Sequence, residues 1–174
     1  MSFPEAKLRT GLPAAEAKAF AAETTCHPEW VCDLIRICAQ PAGGTAPRKA
    51  AWVLRHAALQ DPSCVAGQAR AMLDAVDSCL DSSVHRELLK ALLEVPEAEL
   101  HSMADELYDL GLGLCADVTL PVAMVQVGTM LLQASGLPLG EEVAQVWRAR
   151  GAQAETAPLA RFLSKQLATM RSRR

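Results

Sequence analysis

Aromatic residues are scarce in this chain of 174 residues, where they make up only 4% of the sequence. Both β-sandwich cores and surfaces that stack nucleic-acid bases rely on aromatic side chains, so this composition disfavours them. The apolar fraction is nevertheless 51%, and Leu, Ala, Val and Met provide most of it. Such a composition suits the packing of helix on helix. We therefore expect an all-α fold.

Long hydrophobic runs are also missing. No apolar stretch reaches the roughly 18 residues that a membrane span needs. The first ten residues contain Glu5, Lys7 and Arg9, and the apolar core of a secretory signal does not follow them. The six cysteines show no CxxC spacing, and five of them fall in apolar helical patterns. We therefore predict that these five cysteines are free thiols in the protein core and that the protein lies in the cytoplasm, a reducing compartment. The five are Cys32, Cys38, Cys64, Cys79 and Cys115.

Positive charge is absent from residues 91–147, which hold nine acidic residues and no Lys or Arg. Residues 1–90 balance ten basic with ten acidic side chains, whereas residues 148–174 have seven basic residues and one acid. This distribution indicates an electrically polar molecule, with an acidic block followed by a basic end. Alternatively, both regions are simply charged faces in contact with solvent. The net charge of −3 argues against a generally basic nucleic-acid binder.

Motifs for catalysis or metal binding are lacking as well. The four histidines share no spacing typical of zinc ligands, and the adjacent Cys26 and His27 have no second pair. Gly111 and Gly113 lie in a helical pattern with no strand before it, which predicts close helix packing rather than a nucleotide loop. We therefore predict no enzymatic activity, no cofactor and no metal. The alternative of an enzyme whose active site is assembled from ordinary polar residues stays open.

Helical patterns separated by turn residues fill most of the chain. Residues 1–12 are polar and are expected to form a flexible arm, followed by a single domain over residues 13–174. Asp81 is a candidate N-cap. The segment 118–127 could also form a strand, but its apolar spacing fits a buried helix better. The predicted helices span about 13–23, 27–40, 47–59, 63–80, 83–95, 97–114, 121–135, 139–150 and 157–171.

Three of these helical segments repeat one another. They are Arg48–Leu54, Arg86–Leu92 and Val122–Leu132, and successive copies start about 37 residues apart. Each follows a turn rich in Pro, Ser, Thr or Asp. A repeat of that length is typical of stacked helical hairpins, in which one hairpin cannot bury its apolar face alone.

The segment from Asp81 to Leu92 resembles the turn and second helix of a HEAT repeat. In that family, an acidic or small turn residue precedes a Val-Arg type segment and an Ala/Leu face. The segment at Arg48 resembles the same unit, whereas the third copy has Val122 where the arginine would lie. The resemblance covers residues 27–171. It implies an armadillo-type, right-handed α-α superhelix of about four hairpins, which pair 27–40 with 47–59, 63–80 with 83–95, 97–114 with 119–135, and 139–150 with 157–171.

The resemblance also places the second helix of each hairpin on a concave surface. Six basic residues belong to these helices, namely Arg48, Arg55, Arg86, Lys90, Arg161 and Lys165. Such a basic strip could hold an acidic peptide or a phosphate backbone. In a second interpretation, Arg48 and Arg86 have a structural role and bond to turn carboxylates and helix-end carbonyls of neighbouring repeats.

We predict from these patterns a non-enzymatic helical-repeat scaffold that binds a protein or peptide partner through the six basic residues. The alternative is a HEAT-like DNA-binding or DNA-repair protein of the alkylbase glycosylase type. That activity needs an acidic residue and aromatic side chains beside a flipped base. Trp30, Trp52 and Trp147 are the available aromatic candidates, but each fits a core position.

Overall fold

A computed structural model describes residues 3–9, 13–41, 44–154 and 156–172, and within these ranges it contains helices and no strand. This confirms the all-α class. Of the segment 118–127, which could have formed a strand, residues 122–127 belong to a helix. In chain order the elements are α1 (Ala6–Arg9), α2 (Ala14–Cys26), α3 (Glu29–Cys38), α4 (Thr45–Gln60), a 3-10 turn (Pro62–Val65), α5 (Ala69–Ser78), α6 (Ser82–Leu92), α7 (Glu97–His101), α8 (Ala104–Ala116), α9 (Val122–Ala134), α10 (Glu141–Ala152) and α11 (Ala157–Ser172).

The chain divides into two compact units, Met1–Glu99 and Leu100–Arg174. The first contains α1 to α6 and the second contains α8 to α11, with the division inside α7. The single repeat domain expected over residues 13–174 stays a prediction. None of the described helices is long and apolar enough to cross a membrane.

The N-terminal residues pack onto the first unit. The Phe3 side chain is buried, and its ring meets that of Trp30 edge to face at a centroid distance of 5.4 Å. The backbone N–H of Phe3 donates to a carboxylate oxygen of Asp33 at 2.9 Å. Burial of apolar surface and an aromatic pair together hold the segment in place. Residues 3–9 thus lie against the first unit, and the rest of residues 1–12 lies outside the described residues. The flexible arm stays a prediction.

Helix α4 is the centre of the first unit, where it contacts α1, α2, α3 and α6. Small buried residues around its circumference let these neighbours approach closely; they include Ala50, Ala51, Ala57 and Ala58. Helix α3 also packs against α5, and α5 packs against α6. The helices expected to form the first two hairpins are therefore in contact, while the right-handed superhelix stays a prediction.

The helix expected over residues 63–80 is divided in two. Its first part is the 3-10 turn, and α5 begins only at Ala69. Between them Gly67 has a φ of +76°, a conformation that favours glycine. The carboxylate of Glu99 accepts the backbone N–H groups of Gly67 and Ala69 at 2.8 and 2.9 Å. A side chain about 30 residues away thus stabilises the break.

In the second unit, α8 packs against both α9 and α10, and α10 packs against α11. These contacts again join the helices expected to pair. The helix expected over 97–114 is divided, because α7 ends at His101 and α8 begins at Ala104. The core of this unit comprises Cys115, Val125, Leu132, Val143, Trp147, Leu159 and Leu163.

Two glycines set the distance between α8 and α9. A Cβ atom placed on Gly111 would lie 2.7 Å from the carbonyl oxygen of Gly128, and one placed on Gly128 would lie 2.8 Å from the carbonyl oxygen of Gly111. Both distances are too short for a side chain. The predicted role in close helix packing is confirmed for Gly111. It is wrong for Gly113, where an added Cβ would meet no atom within 4 Å.

Most of the cysteines predicted to be core thiols are buried, namely Cys38, Cys64, Cys79 and Cys115. Burial raises the pKa of Cys64 to about 11, so this thiol stays protonated. Cys32 is exposed, and the prediction is wrong there. The reason is geometric, because Cys32 points away from the apolar side of α3 that carries Val31 and Ile35.

Replacing Gly111 by Ala should destabilise the protein by about 1–3 kcal/mol, the usual cost of overpacking, because the methyl group would meet backbone atoms of α9. Gly113→Ala is the matched control on the same helix. It should be neutral or stabilise by up to about 1 kcal/mol, since Ala favours helix more than Gly does. Urea denaturation of both variants measures the difference, and equal effects would contradict the assigned contact.

Candidate functional site

Four of the six predicted binding residues lie on two adjacent helices of the first unit. Arg48 and Arg55 belong to α4, and Arg86 and Lys90 belong to α6, which packs against α4. We call these four residues, together with Glu87, the α4/α6 face. The other two candidates, Arg161 and Lys165, are exposed on α11 in the second unit. One strip that includes all six stays a prediction.

Arg48 bonds to the turn that precedes α6. Its Nε donates to Oδ2 of Asp81 at 2.7 Å. Asp81 is also the N-cap of α6, since its other carboxylate oxygen accepts the backbone N–H of Ser83 at 2.9 Å. Burial raises the pKa of Asp81, but the hydrogen bonds from Arg48 and from the backbone outweigh burial and lower it. This is the geometry that the structural interpretation of Arg48 predicts.

Glu87 is a buried carboxylate held between two arginines. Its side chain is 8% exposed; Oε2 accepts from Nη1 of Arg55, and Oε1 accepts from Nε of Arg86, both at 2.8 Å. Burial raises the pKa of Glu87, but the hydrogen bonds from Arg86 and Arg55 outweigh it and lower the value. Because Arg55 comes from α4 and the other two residues from α6, the carboxylate links the two helices.

The α4/α6 face keeps a surplus of positive charge. Lys90 is half-buried and makes no ion pair with any residue that the structure describes. Burial lowers the pKa of Lys90, and repulsion from Arg55 and Arg86 lowers it further. The attraction of Glu87 raises this pKa but does not outweigh the other effects. Three cations therefore surround one buried carboxylate. The arrangement would favour an additional negative charge from outside.

A histidine and a tryptophan lie beside this cluster on α4. The rings of Trp52 and His56 are 3.8 Å apart, and both side chains are half-buried. Burial lowers the pKa of His56, and the charges of Arg55 and Lys18 lower it further. His56 is therefore neutral at neutral pH. Lys18, exposed on α2, extends the positive potential beyond the two helices.

The other two tryptophans are core residues, as the sequence indicates. Trp30 is buried in the first unit and Trp147 in the second. Only Trp52 of the three therefore has a partly exposed ring.

Glu87 is not among the residues predicted from the sequence, although its position among apolar residues of α6 is a signal in the sequence. Its neighbours on the same side of α6 are all buried. Val84 lies three residues before Glu87, Leu88 lies one residue after it, and Ala91 lies four residues after it. Glu87 therefore belongs to the apolar side of α6. A carboxylate at such a position needs cationic partners, which are the two arginines.

Within the described ranges, no group of three or more His, Cys, Asp or Glu residues could hold a metal ion. A cavity of about 570 Å³ lies in the second unit, and its lining contains no ionisable residue. Gln133 and Gln166, two of its polar side chains, bond to each other at 3.2 Å.

No protein-family model, curated protein or solved structure matches the chain. The HEAT-like identity therefore stays a prediction from the motifs of the sequence.

Replacing Glu87 by Gln should destabilise the protein by about 1–3 kcal/mol at neutral pH, because two arginines lose their negative partner. The pKa of Glu87 is lower in the folded state than its ordinary value of 4.5. Its stabilising contribution is therefore present above about pH 4.5 and is lost as the pH falls through the folded pKa. The difference in unfolding free energy between wild type and variant should shrink on acidification.

Urea denaturation at about pH 7 and at about pH 3 measures this difference. Glu23→Gln, which neutralises an exposed carboxylate on α2, is the control and should stay within about 0.5 kcal/mol of wild type. A difference for Glu87→Gln that is independent of pH would contradict the assigned ion pairs.

Proposed function

We propose that this chain is a non-enzymatic, HEAT-like scaffold whose α4/α6 face binds an acidic segment of a protein partner. In this proposal the helical pairs are hairpins that stack in a right-handed superhelix. The surplus of positive charge around Glu87, where α4 packs against α6, is the observation that carries the proposal.

Two ion pairs give the relative direction of α4 and α6. Arg48 and Asp81 are 33 residues apart, and Arg55 and Glu87 are 32 residues apart. Each bond joins α4 to α6 or to its N-cap. The later residue of α4 bonds to the later residue of the α6 region, so the two helices run in the same direction, as the second helices of successive hairpins do in a helical repeat.

The chemistry of the two central arginines favours a carboxylate ligand. Each guanidinium has five N–H donors, and one hydrogen bond from each goes to Glu87. The side chains of Arg55 and Arg86 remain 28% and 38% exposed. A carboxylate from a partner could bond to such a guanidinium through two parallel hydrogen bonds and would also reduce the repulsion at Lys90.

A binding role suits this face better than a catalytic one. Glu87 is buried, ionised and occupied by two arginines, so it is not free to donate or accept a proton. The six free cysteines support the cytoplasm as the proposed compartment, since free thiols are typical of reducing surroundings.

The proposal can be tested by fluorescence anisotropy with a labelled peptide of alternating Glu and Ser. Binding should be saturable and should weaken as the salt concentration rises, because the attraction is between charges. Lys90→Gln should weaken binding about two- to fivefold, as expected for the loss of one charge pair at the protein surface. Arg36→Gln removes one charge from α3 and is the matched control, which should leave the affinity unchanged.

Two further probes identify the ligand class, a Lys/Ser peptide of the same length and a short DNA duplex. Failure of the acidic peptide to bind, or equal effects of the two substitutions, would contradict the proposal. Tighter binding of the duplex would also contradict it and would favour the DNA-binding alternative. In that alternative, Trp52 is the partly exposed aromatic residue beside the cations.

A further inference from the structure

Helix α4 is the middle helix of a surface in the first unit. It packs against both α2 and α6, and these two make no extensive contact with each other among the described residues. Trp52 and His56 are one turn apart on α4, and both side chains are half-buried. Part of this ring pair therefore remains uncovered by the neighbouring helices.

Cations lie on both sides of the ring pair. Towards α6 they are Arg55 and Lys90 of the α4/α6 face. Towards α2, the charge of Lys18 is near enough to lower the pKa of His56, after the larger effects of burial and of Arg55. Within the ranges that the structure describes, neither Lys18 nor Lys90 makes an ion pair. Both lysines are therefore available to acidic groups of a ligand.

The indole N–H of Trp52 has no partner either. It makes no hydrogen bond to any described residue. The buried polar side-chain atoms without a partner are Nε1 of Trp147 and Nε of Arg150, so the N–H of Trp52 is not buried and reaches the surface. A partly exposed ring with an accessible donor offers a ligand both apolar area and a hydrogen bond.

We propose that the α4/α6 face, extended by Lys18, Trp52 and His56, binds an extended protein segment in which an aromatic residue lies between two acidic ones. The aromatic ring would pack against Trp52 and His56. One acid would pair with Lys18, and the other would pair with Arg55 and Lys90. The inference rests on the proposed function and specifies the sequence of the acidic segment.

The spacing of the three helices sets the spacing of the acids in the segment. Alternate residues of an extended chain point the same way and are about 7 Å apart. Packed helices are about 8–10 Å apart, so α2, α4 and α6 would meet three successive alternate residues. The long, flexible side chains of Lys18 and Lys90 can bridge the remaining difference. The pattern acid-x-aromatic-x-acid therefore fits this surface, where x is a small residue.

Three labelled peptides, titrated with the full chain and measured by fluorescence anisotropy, test the inference. The first is the peptide of alternating Glu and Ser with its central Glu replaced by Phe. The second has Ala at that position, and the third has the composition of the first with Phe moved to one end. The three peptides carry the same charge. The first should bind about two- to tenfold more tightly than the second, as expected for an aromatic contact, and more tightly than the third.

Nuclear magnetic resonance of the indole N–H groups provides a measurement on the wild-type chain. The signal of Trp52 should shift in a saturable way on addition of the Phe-centred peptide. The signals of Trp30 and Trp147, which are buried, are the internal references and should not shift.

Two variants separate the aromatic contact from the charge pairs. Trp52→Leu should remove the preference for Phe over Ala and leave the affinity for the Ala peptide unchanged. Lys18→Gln should weaken binding of the Phe-centred peptide about two- to fivefold, as expected for the loss of one charge pair at the surface. Arg36→Gln, which removes one charge from α3, is the matched control and should leave the affinity unchanged.

Equal affinities for the Phe-centred and Ala peptides would overturn the inference and leave the proposed function in place. No saturable shift of the Trp52 signal, or a preference for Phe that survives Trp52→Leu, would overturn it in the same way. Equal affinities for the first and third peptides would overturn the acid-x-aromatic-x-acid pattern, and equal effects of Lys18→Gln and Arg36→Gln would overturn the pairing with α2. Failure of all three peptides to bind would overturn the inference and the proposed function together.

Discussion

The ion pair between Arg55 and Glu87 joins helices from two successive helical pairs, and the charged face of the first unit depends on it. A carboxylate as buried as Glu87 would be costly without partners, so it requires cations at fixed positions. Arg55 and Arg86 meet this need, and together they raise the positive potential at Lys90. The cations are therefore positioned by an acid in the core. If the face binds an acidic partner as proposed, this preorganisation lowers the cost of binding.

The two units achieve close helix contact by different means. In the first unit, hydrogen-bonded ion pairs link α4 to α6 and to its N-cap, and small alanines surround α4. In the second unit, Gly111 and Gly128 let two backbones approach until no side chain would fit between them. The contact between the two glycines involves no charged side chain, whereas the ion pairs bring several charged side chains together. The charged face accordingly lies on α4 and α6.

Local patterns in the sequence predict what depends on neighbouring residues. The helical class, the cap at Asp81 and most helix ranges follow from spacing and turn residues within a few positions. The break at Gly67 does not, because the carboxylate that stabilises it belongs to Glu99. Glu87 is an intermediate case, and so is the buried Arg150 of α10, whose Nη2 donates to the carbonyl oxygen of Leu120. Each continues the apolar side of its helix, which marks it as unusual, but the identity of its partner depends on tertiary contacts.

A double-mutant cycle between Arg55 and Glu87 tests the central claim most directly. The free energy of unfolding is measured for wild type, Arg55→Met, Glu87→Gln and the double variant at neutral pH. Residues in direct ionic contact should be coupled by about 0.5–3 kcal/mol, so the second substitution should cost less once the first is present. Additive effects of the two substitutions, with a coupling energy near zero, would contradict a face organised around the buried carboxylate.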